Sequence, residues 1–459
     1  MSLAEKMPTS ELKASISLAS IYGLRMLGMF LILPIFAVYA THYQGGDNTI
    51  LVGAALGAYG LTQALFQLPF GMASDKFGRK KMIYIGLAML IIGSIIAALA
   101  TDITTVIIGR AIQGAGAVSA AVTALLADLT REENRTKAMA MIGATIGVTF
   151  AISLVLGPAL AHWTGIAGIF WLTAVLAGLA IWVIKFVVPN PIISSFHSDA
   201  SAAPAKLKDV LKNTQLLRLN YGIFALHAAQ MAMFIVVPFA IQNTSSLDVN
   251  HHWQVYLPIL LGSFVVMIPA IIVGEKRGLL KPVFIGAVAL MLVAQLCFAS
   301  LITSFWGIVF SLFAYFVAFN ILEASLPSLI SKLAPAAAKG TAMGVYNTSQ
   351  SLGVAVGGLA GGYLSHHYSY SVVFMFCAVM MSLWLLLTFS MKTPPPVRTK
   401  MYHLGKTSEA QAATLTKKIS ALPYVHEAIA IAKEGMLIVK IKNQAIWDEQ
   451  EILETIMNK

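Results

Sequence analysis

The sequence predicts an all-α membrane protein of twelve transmembrane helices in two pseudo-symmetric six-helix bundles, followed by a small α/β domain. Three observations carry this. Of 459 residues, 58% are hydrophobic and only 11% are charged, whereas a soluble domain carries about 25% charged residues. Apolar runs of about 20 residues, enough to cross a hydrocarbon core about 30 Å thick, recur almost throughout. The formal charge of +11 falls between those runs and forms no single stripe or tail, so no nucleic-acid partner is expected. A large soluble enzyme is excluded. The two cysteines, Cys297 and Cys377, both lie in apolar runs, which leaves no disulfide framework and no zinc site. The polar start, Met1 to Lys13, leads into a run too long for a cleavable signal peptide.

The runs extend over 15–42, 50–73, 82–101, 104–129, 138–160, 167–188, 218–243, 253–274, 283–301, 305–331, 340–364 and 370–391. The even-numbered connections carry Lys76, Arg79, Lys80 and Lys81, then Arg131, Arg135 and Lys137, then Lys206, Lys208 and Lys212. They continue with Lys276, Arg277 and Lys281, and with Lys332 and Lys339. The odd-numbered ones, 43–49, 102–103, 161–166, 244–252, 302–304 and 365–369, contain neither Lys nor Arg. The positive-inside rule then places both termini in the cytoplasm of a bacterial inner membrane.

The longest connection, 189–217, is rich in Ser, Ala and Pro and divides the spans six and six, as a linker between bundles does. Its end, Leu207 to Leu219, is amphipathic and expected on the membrane face. The bundles, 1–188 and 218–392, also repeat one another. Asp75 to Lys81 aligns with Glu275 to Lys281 at an offset of 200, and Arg135 to Met139 with Lys339 to Met343 at 204. Matching offsets at corresponding connections indicate two related halves.

After Pro394-Pro395-Pro396, a stiff spacer, residues 398–459 hold mixed charges and no span. Thr399 to Leu404 reads as a strand and Ser408 to Ala421 as a helix with Ala412, Leu415 and Ile419 on one face. Val425 to Ala432 and Met436 to Ile441 flank a Lys433-Glu434-Gly435 turn as a hairpin, and Trp447 to Met457 is amphipathic. The order β-α-β-β-α suggests a truncated ferredoxin-like module. It has no Cys-x-x-Cys, and His403 and His426 read as ordinary histidines because no further ligand stands near them.

Chemistry concentrates between spans 2 and 3, at Gly71-Met72-Ala73-Ser74-Asp75-Lys76-Phe77-Gly78-Arg79-Lys80-Lys81. Its glycines allow close helix approach and a tight turn, and its acid and bases form a charge cluster. The positive-inside rule alone explains the bases but neither Asp75 nor the glycines. In span 4, Arg110-Ala111-Ile112-Gln113-Gly114-Ala115-Gly116-Ala117 puts an arginine inside the membrane, where it must face the bundle interior. It serves transport or bonds to neighbouring carbonyls. Span 5 holds Ser153-x-x-x-Gly157-Pro158, a kink beside a small-residue face.

The loop motif resembles that of the major facilitator superfamily, G-x-x-x-D-[RK]-x-G-R-[RK]-[RK], at all its fixed positions. Arg25 to Met29, Tyr59 to Gln63, Asp128 to Glu132 and Lys339 to Tyr346 extend the likeness. It is nearest to the drug–proton antiporter branch, whose span-5 motif G-x-x-x-G-P-x-x-G-G is met in part. Ser153 replaces its first glycine, and Ala161 and His162 its last two; Leu27-Gly28 followed by Pro34 is a further partial match. The resemblance implies a proton-coupled role for Arg110, transport by alternating access and a β-α-β-β-α cytoplasmic domain. It also implies a conformational gate of Gly71, Asp75, Gly78, Arg79, Lys80 and Asp128, with Asp128 in reach of Arg79. Asp75 would face the start of span 11 near Lys339-Gly340, favoured there by the helix dipole.

Few ionisable groups lie within spans: Arg25, Arg110, His227 and Glu323. Such residues default to functional hypotheses. Glu323 is the candidate proton-exchanging acid, with Asn320 one turn away; its alternative is an ion pair with Lys332 or Arg277. His227 reads first as a packed, hydrogen-bonded residue. Gln63, Gln113, Gln230, Asn347 and Gln350 add polar groups to a pathway. The expected function is export of a small amphipathic molecule in exchange for protons, by a monomer. A proton-coupled uptake symporter and a membrane sensor signalling through the tail are the competitors. No G-x-x-x-x-G-K-[ST] loop occurs, so neither ATP hydrolysis nor any cofactor is expected.

Overall fold

The computed structural model describes residues 7–190, 204–335, 338–393, 397–405, 407–432, 435–442, 447 and 449–457. The Pro394–Pro396 spacer, the first six residues, most of the Ser/Ala/Pro stretch of the linker and Lys433-Glu434 of the tail turn lie outside these. The helices are α1 (Thr9–Phe30), α2 (Phe36–Tyr39), α3 (Thr49–Phe77), α4 (Arg79–Ala98), α5 (Ile103–Ala115), α6 (Ser119–Leu129) and α7 (Glu132–Phe186). Then come α8 (Pro204–Lys212), α9 (Thr214–Thr244), α10 (Trp253–Lys276), α11 (Leu280–Leu301), α12 (Phe305–Leu333), α13 (Lys339–His367) and α14 (Tyr370–Phe389). The tail adds β1 (Val397–His403), α15 (Glu409–Ser420), β2 (Val425–Ile431), β3 (Met436–Lys442) and α16 (Glu449–Met457). Among the described residues, nine helical segments are long and apolar enough to cross a membrane.

Two runs expected as single helices are broken. The first stops at Phe30 and resumes at Phe36, because Pro34 lacks an amide proton and clashes with the preceding turn. The fourth breaks at Gly116, whose ψ of 56° leaves the helical region, and resumes as α6. Conversely, α7 runs through two expected spans but turns at Gly165, φ 62°, a conformation only glycine adopts freely. The amphipathic end of the linker divides into α8 and the start of α9, whose N-cap Asn213 accepts from the amides of Gln215 and Leu216.

Small residues let backbones touch. A Cβ on Gly53 would stand 2.2 Å from the Gly358 carbonyl oxygen, and one on Gly60 2.6 Å from that of Ser351, so α3 and α13 pack antiparallel in direct contact. On its other side α13 meets α9, where Gly353 and Gly357 face the carbonyls of Phe224 and Ala228. One apolar core joins α1, α4, α6 and α7 through Leu18, Ile83, Leu125 and Ala177. A larger one reaches from Leu31 and Phe36 through α9, α11, α12 and α14. Leu65, Ile92, Val265 and Leu386 remain exposed, the surface a bilayer solvates. Trp163, beside the Gly165 turn of α7, and Trp306, at the start of α12, are exposed on the side remote from the tail, where interfacial aromatics sit.

The halves repeat one lysine contact. Lys80, the second residue of α4, donates to the carbonyls of Ile184 and Val188 at 3.2 and 2.6 Å; Lys281, the second residue of α11, donates to those of Phe389 and Met391 at 3.3 and 2.6 Å. Each cation closes the end of the sixth helical stretch of its half, where orphan carbonyls attract positive charge. The sequence alignment pairs Lys281 with Lys81; the geometry gives its role to Lys80.

The tail sheet has the order β1-β3-β2, with β3 antiparallel to both neighbours. Leu415, Ile419 and Ile452 of α15 and α16 cover one face, against Leu437, Val439 and Ile441. Met401, Met436 and Ile438 form a second cluster, on the alternate positions of the strands. Lys440 on that face is buried, with Nζ 2.8 Å from the Ala334 carbonyl, 3.3 Å from that of Lys332 and 2.7 Å from Glu427. The tail thereby docks on the C-terminus of α12, while β1 lies beside α7.

Candidate functional site

At the end of the helices nearest the tail, Gly78 (φ 102°) makes the turn between α3 and α4. That turn presents Arg79, which is 3% exposed. Its Nη1 donates to Asp75 and, at 2.9 Å, to Ser74 Oγ; its Nε donates to Asp128 Oδ2 at 3.3 Å. The Asp128 side chain is fully buried, that of Asp75 26% exposed. One guanidinium thus ties α3, α4 and α6 together with two carboxylates of unequal exposure. Gly71 lies under the cluster, its missing Cβ 3.2 Å from Ala120, and its carbonyl accepts from Ser74 Oγ.

The intramembrane arginines converge on one tyrosine that the charge-based reading of the sequence did not single out. Arg25 donates to Tyr59 OH at 2.8 Å and to Ser119 Oγ at 3.1 Å. Arg110 stands over the Tyr59 ring, 4.7 Å from its centroid, a cation–π contact strengthened by burial. Arg110 also donates to Gln113 Oε1 at 2.8 Å, and Gln113 to Ser94 Oγ at 2.7 Å. The signal for Tyr59 lay in the Tyr59 to Gln63 stretch.

The second cluster joins α9, α12 and α13. His227 Nδ1 lies 3.3 Å from the Ile223 carbonyl, and Nε2 is 2.7 Å from Gln350 Nε2 and 3.9 Å from Glu323 Oε2. A carbonyl only accepts, so this geometry suits a neutral imidazole protonated on Nδ1, with Nε2 accepting from the amide. Glu323 is 32% exposed, yet its Oε2 is buried without a hydrogen-bond partner. The buried hydroxyls of Tyr315 and Tyr346, its electrostatic neighbours, likewise have none among the described residues. Phe319 packs on the His227 ring and on Tyr315, and Phe150 of α7 meets Phe316 and Phe319 across the halves. Neither Lys332 nor Arg277 is the partner that this geometry gives Glu323.

The other expected pathway residues separate. Asn320 turns to α10, donating to Ser263 Oγ at 2.9 Å; Asn347 is half-buried one turn before Gln350 on α13. Gly157, next to Pro158, admits the broken end of α1: a Cβ there would lie 2.3 Å from the Leu31 carbonyl. At the end remote from the tail the halves meet, Tyr39 OH donating to Asn250 Oδ1 at 2.7 Å.

A family model described as Major Facilitator Superfamily matches residues 18–349 and 260–432. The chain is 42% identical over 439 residues to the inner membrane transport protein YajR of Escherichia coli (strain K12), covering 96% of each. It is 37% identical over 348 residues to an uncharacterized transporter of Buchnera aphidicola subsp. Acyrthosiphon pisum, covering 76% of this chain and 89% of that one. Its fold resembles the crystal structure of the human organic anion transporter MFSD10 (TETRAN), with a TM-score of 0.63, 18% identity, and coverage of 83% of this chain and all of the other. The apolar helices, the repeated halves and these likenesses give one conclusion: the chain belongs to the major facilitator superfamily and is a multi-pass membrane transporter, not an enzyme.

Proposed function

We propose that this protein is a bacterial inner-membrane exporter that exchanges a small amphipathic molecule for protons by alternating access. The single observation that carries the reading is the Glu323–His227–Gln350 cluster. An acid with an oxygen and two tyrosine hydroxyls that have no hydrogen-bond partner among the described residues, together with a histidine, meet where aromatic side chains bridge the halves. Such a constellation suits a ligand with an apolar body on the rings and a polar head at Glu323. Protonated, Glu323 is neutral and compatible with its apolar surroundings; ionised, it holds the ligand's head. Exchange of one for the other couples the two fluxes, and Gln350 and His227 report the change to α13 and α9.

The reading includes twelve spans. Dividing the long α7 at Gly165 and adding α1, which carries Glu11 and Arg25, and glycine-rich α13 extends the nine apolar segments to that number. It also includes bundles 1–188 and 218–392 joined by the linker 189–217, a ferredoxin-like tail over 398–459, and a monomer with both termini in the cytoplasm. The Arg79–Asp75–Asp128 cluster serves as the cytoplasmic gate, with Asp75 facing the N-terminus of α13 when that side closes. Contact of α3 with α13 and of Tyr39 with Asn250 at the far end supports a molecule closed toward the periplasm.

The test uses sealed, inverted, acidified vesicles to which lipophilic cations such as tetraphenylphosphonium are added as one arm of a panel of amphipathic probes. Compound-triggered proton release in wild type, abolished by Glu323→Gln and reduced by Asp75→Asn, is the expected result. Silence across the panel with abundant folded protein would overturn export. Proton movement in the same direction as the compound would establish symport instead.

A further inference from the structure

The end remote from the tail has an unusual charge inventory. The connections there hold Asp47, Asp102 and Asp248 but no Lys or Arg, and six of the chain's ten histidines lie in or beside them: His42, His162, His251, His252, His366 and His367. Hydrogen bonds from the Thr105 side chain and amide hold the Asp102 carboxyl below its ordinary value. This surface attracts cations and offers imidazole, a favoured ligand of divalent transition metals.

Two of these histidines face each other across the seam between the halves. His162 follows Ala161 near the middle of α7; His251 follows Asn250, which accepts from Tyr39. Their rings are exposed and their centroids 6.4 Å apart. With Zn–N bonds of about 2.0–2.1 Å and the tetrahedral angle zinc takes, two imidazoles on one ion place their centroids about 5 Å apart. The observed separation is wider than that by about 1.4 Å, a gap that rotation of two exposed side chains closes. No group of three His, Cys, Asp or Glu side chains able to hold a metal lies among the described residues, so water completes the shell.

We propose that His162 and His251 form a zinc site bridging the two halves at the mouth remote from the tail. Bound metal spans the seam that alternating access must open, so it staples that end shut. The site is independent of which group carries protons or which molecule is transported.

The test titrates tag-free full-length protein in detergent with zinc chloride by calorimetry. A pair of spin labels flanking the mouth reads its opening. The expected result is about one zinc equivalent bound per chain, with loss of the open-mouth population. His162→Ala and His251→Ala each remove both effects while leaving the unfolding midpoint unchanged. The control His366→Ala/His367→Ala leaves both in place. Binding that survives either single substitution, or that disappears in the control, overturns the proposal, as does binding that leaves the mouth's opening unaltered.

Discussion

Arg79 holds two carboxylates that differ in exposure. Its bond to Asp128 is buried, while Asp75 is partly open to solvent. Removing one partner of a buried pair costs about 3–5 kcal/mol, so Asp128→Ala should lower the unfolding midpoint markedly. Asp75→Asn should lower it much less, because Arg79 keeps Asp128; a thermal-unfolding comparison of the two variants separates these roles. The motif's residues were legible because they are contiguous. Glu323, His227 and Gln350 were each visible as polar groups in apolar runs, but their meeting was not. It depends on α9, α12 and α13 touching, and sequence spacing within one helix cannot reveal a neighbour on another. The same holds for Tyr59, whose hydroxyl and ring serve two arginines from different helices. Gln350→Leu should alter the pH dependence of transport while leaving the fold intact, since it removes the donor to His227 Nε2; an unchanged pH profile would deny that link a role.

Among the helices, backbone contact sets which motions are cheap. Gly53 and Gly60 let α3 lie directly on α13, and a Cβ at Gly53 would strike the Gly358 carbonyl at 2.2 Å. Gly53→Val should therefore hold the far end apart and raise the population open on that side, read as a longer distance between spin labels on α3 and α13. Hydropathy located the apolar runs but passed over the breaks at Leu31–Ile35 and Gly116–Val118, because apolar residues continue through both. Pro34 was the one available sign. Gly165 sat where a connection was expected; its left-handed turn reorients α7 within an unbroken helical assignment. The repeat was legible from charge, but its register was one residue off until Lys80 and Lys281 were seen closing equivalent helix ends.

For the molecule as a whole, the tail meets the helical portion through α12 and α7. Lys440 joins the tail to the last carbonyls of α12, the helix that carries Glu323, and β1 lies beside α7. No sequence pattern announces a lysine on a strand bonding to a helix end more than a hundred residues earlier. Lys440→Met removes the cation that binds the Lys332 and Ala334 carbonyls and Glu427, so the tail should detach more often. Faster limited proteolysis near residue 393, with the helical portion intact, is the expected outcome. Family and a mostly helical membrane fold were legible at this scale from composition, charge distribution and one motif; coupling was not, because no spacing within one helix shows which groups meet around a substrate. The most direct measurement is proton release from purified protein in weakly buffered detergent on adding a transported probe. Wild type should release close to one proton per molecule bound, and Glu323→Gln none while still folded. Equal release from the variant would contradict the assignment of Glu323 as the exchanging acid.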